Sequence, residues 1–185
     1  MSIALHRFCS TIVWLLLSIG WAAAQGDFII SASGVGGVRL CQPLSVVRDR
    51  FPTARDTVIQ SESLEKWPAK IVHLTKGENV LFESSWIDTT HIWRASTNSL
   101  RYRTKRGYRV GTTLGVLHQR HERLRFSYAE GDIVITLVSE NVDFMPDDST
   151  ARLFLHRSPT AFDSLDQLPP STRIQEFVVN GDCPH

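Results

Sequence analysis

The sequence of 185 residues contains no nucleophile elbow and no P-loop, and its one Ser-x-x-Lys, Ser63 to Lys66, lacks the companion elements of penicillin-recognising hydrolases. The chemistries those motifs encode are therefore not indicated. There is no coiled coil, no low-complexity tract and no Asn-x-Ser/Thr acceptor. Gly34-Val35-Gly36-Gly37 is too short for a dinucleotide fingerprint and follows no long buried strand. Net charge is nearly absent, with 20 Lys and Arg against 19 Asp and Glu, which removes the basic excess of a nucleic-acid binder. Cysteine is scarce, at three residues. No apolar run reaches the roughly 20 residues of a bilayer-spanning helix, so no transmembrane anchor is expected.

At the amino terminus, His6 and Arg7 precede an apolar run from Ile12 to Ile19, then Trp21 and the small residues Ala22, Ala23 and Ala24. This is the layout of a cleavable secretory signal over residues 1–24. Cys9 precedes the apolar run, whereas a lipid-bearing cysteine follows it, so lipoprotein processing is not expected. The product is periplasmic or secreted: residues 25–185, one domain in size, with no formal net charge. Cys41 and Cys183 are left as an even pair, and export favours a disulfide between them over two free thiols or a metal site. Such a bond closes a loop of about 140 residues, worth roughly 5 kcal/mol in the chain-entropy model.

The stretch from Gly37 to Phe51 recurs from Gly107 to His121 at a constant offset of 70 positions. Gly37/Gly107, Arg39/Arg109, Leu44/Leu114, Val46/Val116 and Arg50/Arg120 coincide. Thr90-His91-Ile92 resembles Thr172-Arg173-Ile174 at an offset of 82. A repeat of this kind predicts two units, residues 36–106 and 107–180, sharing one core. The second carries a Pro-containing insertion within 144–171. In the first unit Val38 and Leu40 read as a short strand, and Leu44, Val47 and Phe51 as one helical face ended by Pro52. Strand-like runs follow at 57–60, 70–74, 80–86 and 91–95. In the second unit Tyr108 and Val110 read as strand, residues 114–121 as helix, and 123–128 with 133–138 as a hairpin. The expected fold is α+β, two tandem helix-plus-antiparallel-sheet units.

A glycine-led strand, then Pro43-Leu44 or Thr113-Leu114 opening an amphipathic helix, then antiparallel strands, twice over, resembles the tandem units of secreted bacterial proteins of the β-lactamase-inhibitor-like (BLIP/BamE-like) fold. The pattern Gly-x-x-x-Gly-x-[Ser/Thr]-Leu is complete in the second unit, and Cys41 stands in the first where Gly111 stands in the second. The resemblance spans residues 36–179. It implies protein binding or envelope scaffolding and brings no catalytic residues or cofactor.

Among candidate sites, Arg101, Arg103, Lys105, Arg106 and Arg109 interleave with Tyr102 and Tyr108. Between residues 98 and 125, eight basic residues face Glu122 alone. This segment presents a cationic face to an anionic envelope component or an acidic protein, or it pairs with Glu130, Asp132, Glu140 and Asp143 across the sheet. His118 and His121, three apart on the second helix, form half of a metal site. They need a third ligand from His91 with Asp88, His73 or His185. Trp67, Trp86 and Trp93 are expected to pack sheet against helix, with a protein-recognition surface as the alternative. The resulting expectation is a non-enzymatic binding or scaffold module of the bacterial envelope. The alternative is a secreted hydrolase or metal-dependent enzyme using His118 and His121.

Overall fold

A computed structural model describes residues 28–61, 64–75, 77–129, 132–147 and 168–183. The signal peptide expected at 1–24 and most of the expected insertion at 144–171 lie outside them. In chain order the strands are β1 (Ile29–Ser31), β2 (Gly34–Val35), β3 (Val38–Arg39), β4 (Arg55–Gln60), β5 (Lys66–Thr75), β6 (Glu78–Glu83), β7 (Arg94–Thr97), β8 (Arg103–Thr104), β9 (Leu124–Ala129), β10 (Asp132–Leu137), β11 (Val142–Pro146) and β12 (Ile174–Asn180). Two short helices interrupt them, α1 (Val46–Arg50) and α2 (Leu114–Gln119).

The eight strands β4-β5-β6-β7-β12-β11-β10-β9, in that order, form one sheet, and β3-β2-β1-β8 form a smaller one. Every pairing in the large sheet is antiparallel, whereas β1 and β8 run parallel. Alternation along the strands sorts the two faces. Val72, Val80, Phe82, Ala95, Phe177, Phe144, Ile135 and Leu137 share the inner face through their registers. They join one apolar cluster with Ile30 of the small sheet, Val47 of α1 and Leu117 of α2. Lys70, also on that face, is buried and pairs with Asp56 on edge strand β4, which Arg48 of α1 pairs as well.

The expected α+β architecture is therefore corrected to a mostly β fold of a four-stranded and an eight-stranded sheet with two short helices, not tandem helix-plus-sheet units. The helix expected over 44–51 contracts to α1, whose Ser45 makes no side-chain cap. The one expected over 114–121 ends at Gln119, and His121 turns to φ 54°. At this length helices are marginal by themselves; burial of Val47, Leu114 and Leu117 holds them. Tyr108 and Val110 form no strand, only an isolated bridge from Arg109 to Arg103. The strands expected at 80–86 and 91–95 overran their true limits, since β6 stops at Glu83 and β7 starts at Arg94.

What the sequence offsets of 70 and 82 correspond to is a doubled set of backbone hydrogen bonds. The Cys41 amide donates to the Ile92 carbonyl at 2.8 Å, and the Gly111 amide to Ile174 at 2.7 Å. Leu44 donates to Thr90 at 2.8 Å, and Leu114 to Thr172 at 2.9 Å. Ile92 and Ile174 donate back to Gln42 and Thr112, at 2.8 and 2.9 Å. Both motifs require a residue in the left-handed region: Gly111 at φ 86° and Cys41 at φ 62°. Glycine adopts it freely. Cysteine does so at a cost, and the second role of Cys41 explains its presence.

Cys41 and Cys183 are bonded across a sequence separation of 142 residues. Disulfides persist in oxidising compartments, so the bond points to a location outside the cytoplasm. Among the described residues no helix is long and apolar enough to cross a membrane. Peptide mapping without reductant is expected to recover Cys41 and Cys183 in one linked fragment. The Cys41→Ser variant is expected to melt on the order of 10 °C below the oxidised protein, from roughly 5 kcal/mol of chain entropy at about 2 to 4 °C per kcal/mol.

Candidate tryptophan-lined groove

Beyond the end of β6 the chain leaves the sheet for a loop, residues 84–93, shaped by Asp88. Its carboxylate accepts from the Thr90 hydroxyl at 2.6 Å, the Thr90 amide at 2.8 Å and His91 Nδ1 at 2.8 Å. Those bonds from Thr90, with His91, hold the Asp88 carboxyl far below the usual carboxylate range despite some desolvation. The Asp88 amide in turn donates to Ser85 Oγ at 2.9 Å. Such side-chain bonds to nearby backbone substitute for a strand ladder, and they turn Trp86 and Ile87 outward. Trp86 is 61 % exposed, Ile87 64 % and Trp93 42 %.

These residues border a groove of about 310 Å³. Trp67 of β5, half-buried, supplies another indole, and its Nε1 donates to Glu83 Oε2 at 3.3 Å. Across β6 and β7 the row continues to Arg94, whose Nε lies 3.7 Å from Glu83 Oε1. The far wall is Gly181 to Cys183, held by the Gly181 amide donating to Trp93 at 2.7 Å and by the disulfide. All three tryptophans beyond residue 24 therefore meet in one groove. The expectation that they pack sheet against helix is corrected: Trp86 and Trp93 belong to a loop and its exit, and the inner face is filled without them.

The basic segment divides. Arg106 Nη1 sits 2.9 Å from Glu122, a carboxylate whose side chain is 1 % exposed. Tyr108 Oη donates to the same carboxylate at 2.6 Å and Ser139 Oγ at 2.7 Å. Burial pushes the Glu122 carboxyl up, but the bonds from Tyr108 and Ser139 and the Arg106 and Arg120 charges outweigh it, so it titrates below its ordinary 4.5. Burial, and then Glu122 itself, push the Tyr108 phenol up. The Arg101 guanidinium lies 4.4 Å from the centre of the Phe28 ring. Arg103 and Lys105 are exposed, and among the described residues no ion pair engages them. Of the acids expected opposite this segment, Glu140 accepts only the Arg106 backbone amide, at 3.1 Å. Asp143 takes Thr136 and Asn180, and Glu130 lies outside the described residues. Glu122 was missed, although its isolation among eight basic residues was the signal.

His118 is in the last turn of α2, and His121, with its positive φ, has left the helix, so the two do not share a helical face. His73 projects from β5 and His91 is bound to Asp88, while His185 lies outside the described residues. Among the described residues no three His, Cys, Asp or Glu side chains are grouped to hold a metal.

Replacing Arg106 with glutamine leaves a buried carboxylate short of its counter-charge. A fully buried pair loses about 3 to 5 kcal/mol this way. Arg106 is half exposed, and the expected loss by chemical denaturation is about 1 to 2 kcal/mol. Arg103→Gln with Lys105→Gln is expected to stay within about 0.5 kcal/mol of the parent. Because the folded Glu122 pKa lies below its unfolded value, its contribution is complete above about pH 4.5 and is lost as pH falls through the lower folded value. Melting temperatures against pH are expected to fall less steeply below 4.5 in Glu122→Gln than in the parent, from a lower starting point.

No family model matches the chain, and no curated protein matches it. Among solved structures, it is similar to that of the uncharacterized protein YfeY from Escherichia coli, with a TM-score of 0.62, 82 % of this chain and 99 % of that chain covered, and 13 % sequence identity. At that identity the likeness is one of fold. It assigns no family, and the BLIP/BamE-like resemblance rests on its short glycine-led motif.

Proposed function

We propose that this protein is a non-enzymatic binding or scaffold module of the bacterial cell envelope, periplasmic or secreted, and that it engages its partner through the tryptophan-lined groove. The observation that carries this reading is the exposure of Trp86, Ile87 and Trp93 on a loop tied at both ends by hydrogen bonds. Exposed apolar residues gathered in one place mark interaction sites, and tryptophan is enriched among residues that dominate binding energy. Rigidity matters as much as area, since ordering a mobile loop subtracts from affinity. The disulfide and the Asp88 turn are cross-links that reduce that cost. The rival reading, an enzyme using His118 and His121, draws no support from where those residues sit. The anionic-component reading retains Arg103 and Lys105 as exposed charges without an ion pair among the described residues, whereas Arg106 pairs with Glu122 and Arg101 lies over Phe28.

Immobilised, disulfide-bonded protein spanning residues 25–185 tests this against envelope extract. Trp86→Ser combined with Trp93→Ser is expected to reduce capture of any specific partner at least about tenfold, as loss of a binding hot spot does. Arg103→Gln with Lys105→Gln is expected to leave capture at the parental level. Capture that follows the charges and ignores the indoles rejects the groove as the contact surface.

A further inference from the structure

On the reading of the groove as a binding surface, we infer that it receives an alkylammonium cation, either a quaternary ammonium compound or a lysine side chain. Indole is the strongest π partner for a cation, and the groove presents Trp67, Trp86 and Trp93 together. Two exposed carboxylates, Glu65 and Asp182, stand on its rim, and among the described residues no hydrogen bond or ion pair engages either side chain. Arg94, the one basic residue lining it, has its Nε at ion-pair distance, 3.7 Å, from the nearly buried Glu83 carboxylate and makes no hydrogen bond through it. Two carboxylates against one guanidinium, itself beside Glu83, leave the lining net acidic.

The other ligand classes fit less well. An anion meets two uncompensated carboxylates, and an apolar ligand strips them of water without replacing its bonds. A saccharide would find donors in Arg94 and the indoles, but the serine hydroxyls of the wall are engaged within the protein. Ser84 Oγ is committed to the Pro68 carbonyl at 2.6 Å, and Ser85 Oγ to the Asp88 backbone. Three indoles and two carboxylates in one groove supply the π systems and acceptors that an ammonium group with its methyl or N–H periphery demands. A volume of about 310 Å³ suits a small head group.

The three groove tryptophans are the only ones in protein spanning residues 25–185, so its intrinsic fluorescence reports the groove. We would titrate the disulfide-bonded protein with tetramethylammonium chloride and with acetyl-Gly-Lys-Gly-amide at constant ionic strength, and with chitotriose as a neutral comparator. A saturable change with one of the two cations is expected, and which one responds identifies the source. Apparent affinity is expected to fall about fivefold in Trp86→Leu, read from Trp67 and Trp93. A fall of about threefold is expected in Glu65→Gln with Asp182→Asn. Arg103→Gln with Lys105→Gln leaves it unchanged. No saturation with either cation, or saturation that survives both groove variants, overturns the inference. Saturation with chitotriose alone overturns the cation while leaving the groove a binding surface. Only indole-independent capture from envelope extract removes that broader reading.

Discussion

Pairing between β7 and β12, from Thr97 opposite Phe177 to Arg94 opposite Asn180, joins two four-strand meanders into one sheet, and most of the structure follows from that seam. It lets Phe82, Phe144 and Phe177 share one core with both helices. It also carries the chain after β12 directly past Trp93, where Gly181 binds the Trp93 carbonyl and Cys183 reaches Cys41. The groove is the end of the seam, walled by the two segments that the seam brings together. Adding a Cβ at Gly181 would bring it within 3.2 Å of that carbonyl and 3.1 Å of Cys183 Sγ, which shows how tightly the wall is drawn.

Charge is organised on the same principle of local closure. Asp56 gathers Lys70 and Arg48 beside the first helix, and Glu122 gathers Arg106, Tyr108 and Ser139 beside the second. Both carboxyls are held below their ordinary range, Asp56 chiefly by the bond from Lys70. Of the eight basic residues between 98 and 125, Arg106 alone forms an ion pair among the described residues, while Arg101 and Arg120 lie over the Phe28 and Tyr108 rings. Among the described residues, the charges without an ion pair include Arg103, Lys105, Arg109, Arg123 and Arg125 in the basic segment, and Glu65 and Asp182 at the groove.

Strands with sustained alternation were legible: the run expected at 133–138 is β10, and that at 123–128 is β9. Of the short strands of the small sheet, the one expected at Val38 is β3, whereas β1, β2 and β8 were not read, because so short a pairing leaves no period to read. Helix length was overestimated at 44–51 because Leu44 and Phe51 continue the apolar spacing yet pack from outside the helix. The groove was hidden for a related reason. Trp86 prolongs the β-rich pattern of β6, and only the turn chemistry of Ser85, Asp88 and Thr90 reveals that the ladder has ended. The cysteine pair was readable from compartment alone, since it depends on redox chemistry and not on local geometry.

β12 follows every other described strand in sequence, yet it occupies the middle of the sheet. A chain emerging amino end first from a ribosome or a membrane channel can assemble β4 to β7 and β9 to β11 as separate meanders, but each must wait with an open, hydrogen-bonding flank at β7 and β11. Unpaired flanks of that kind recruit other chains, and pairing between distant segments is slow to form. The interval before β12 docks is thus the window in which this protein is vulnerable to aggregation, and insertion of one seven-residue strand closes both flanks at once.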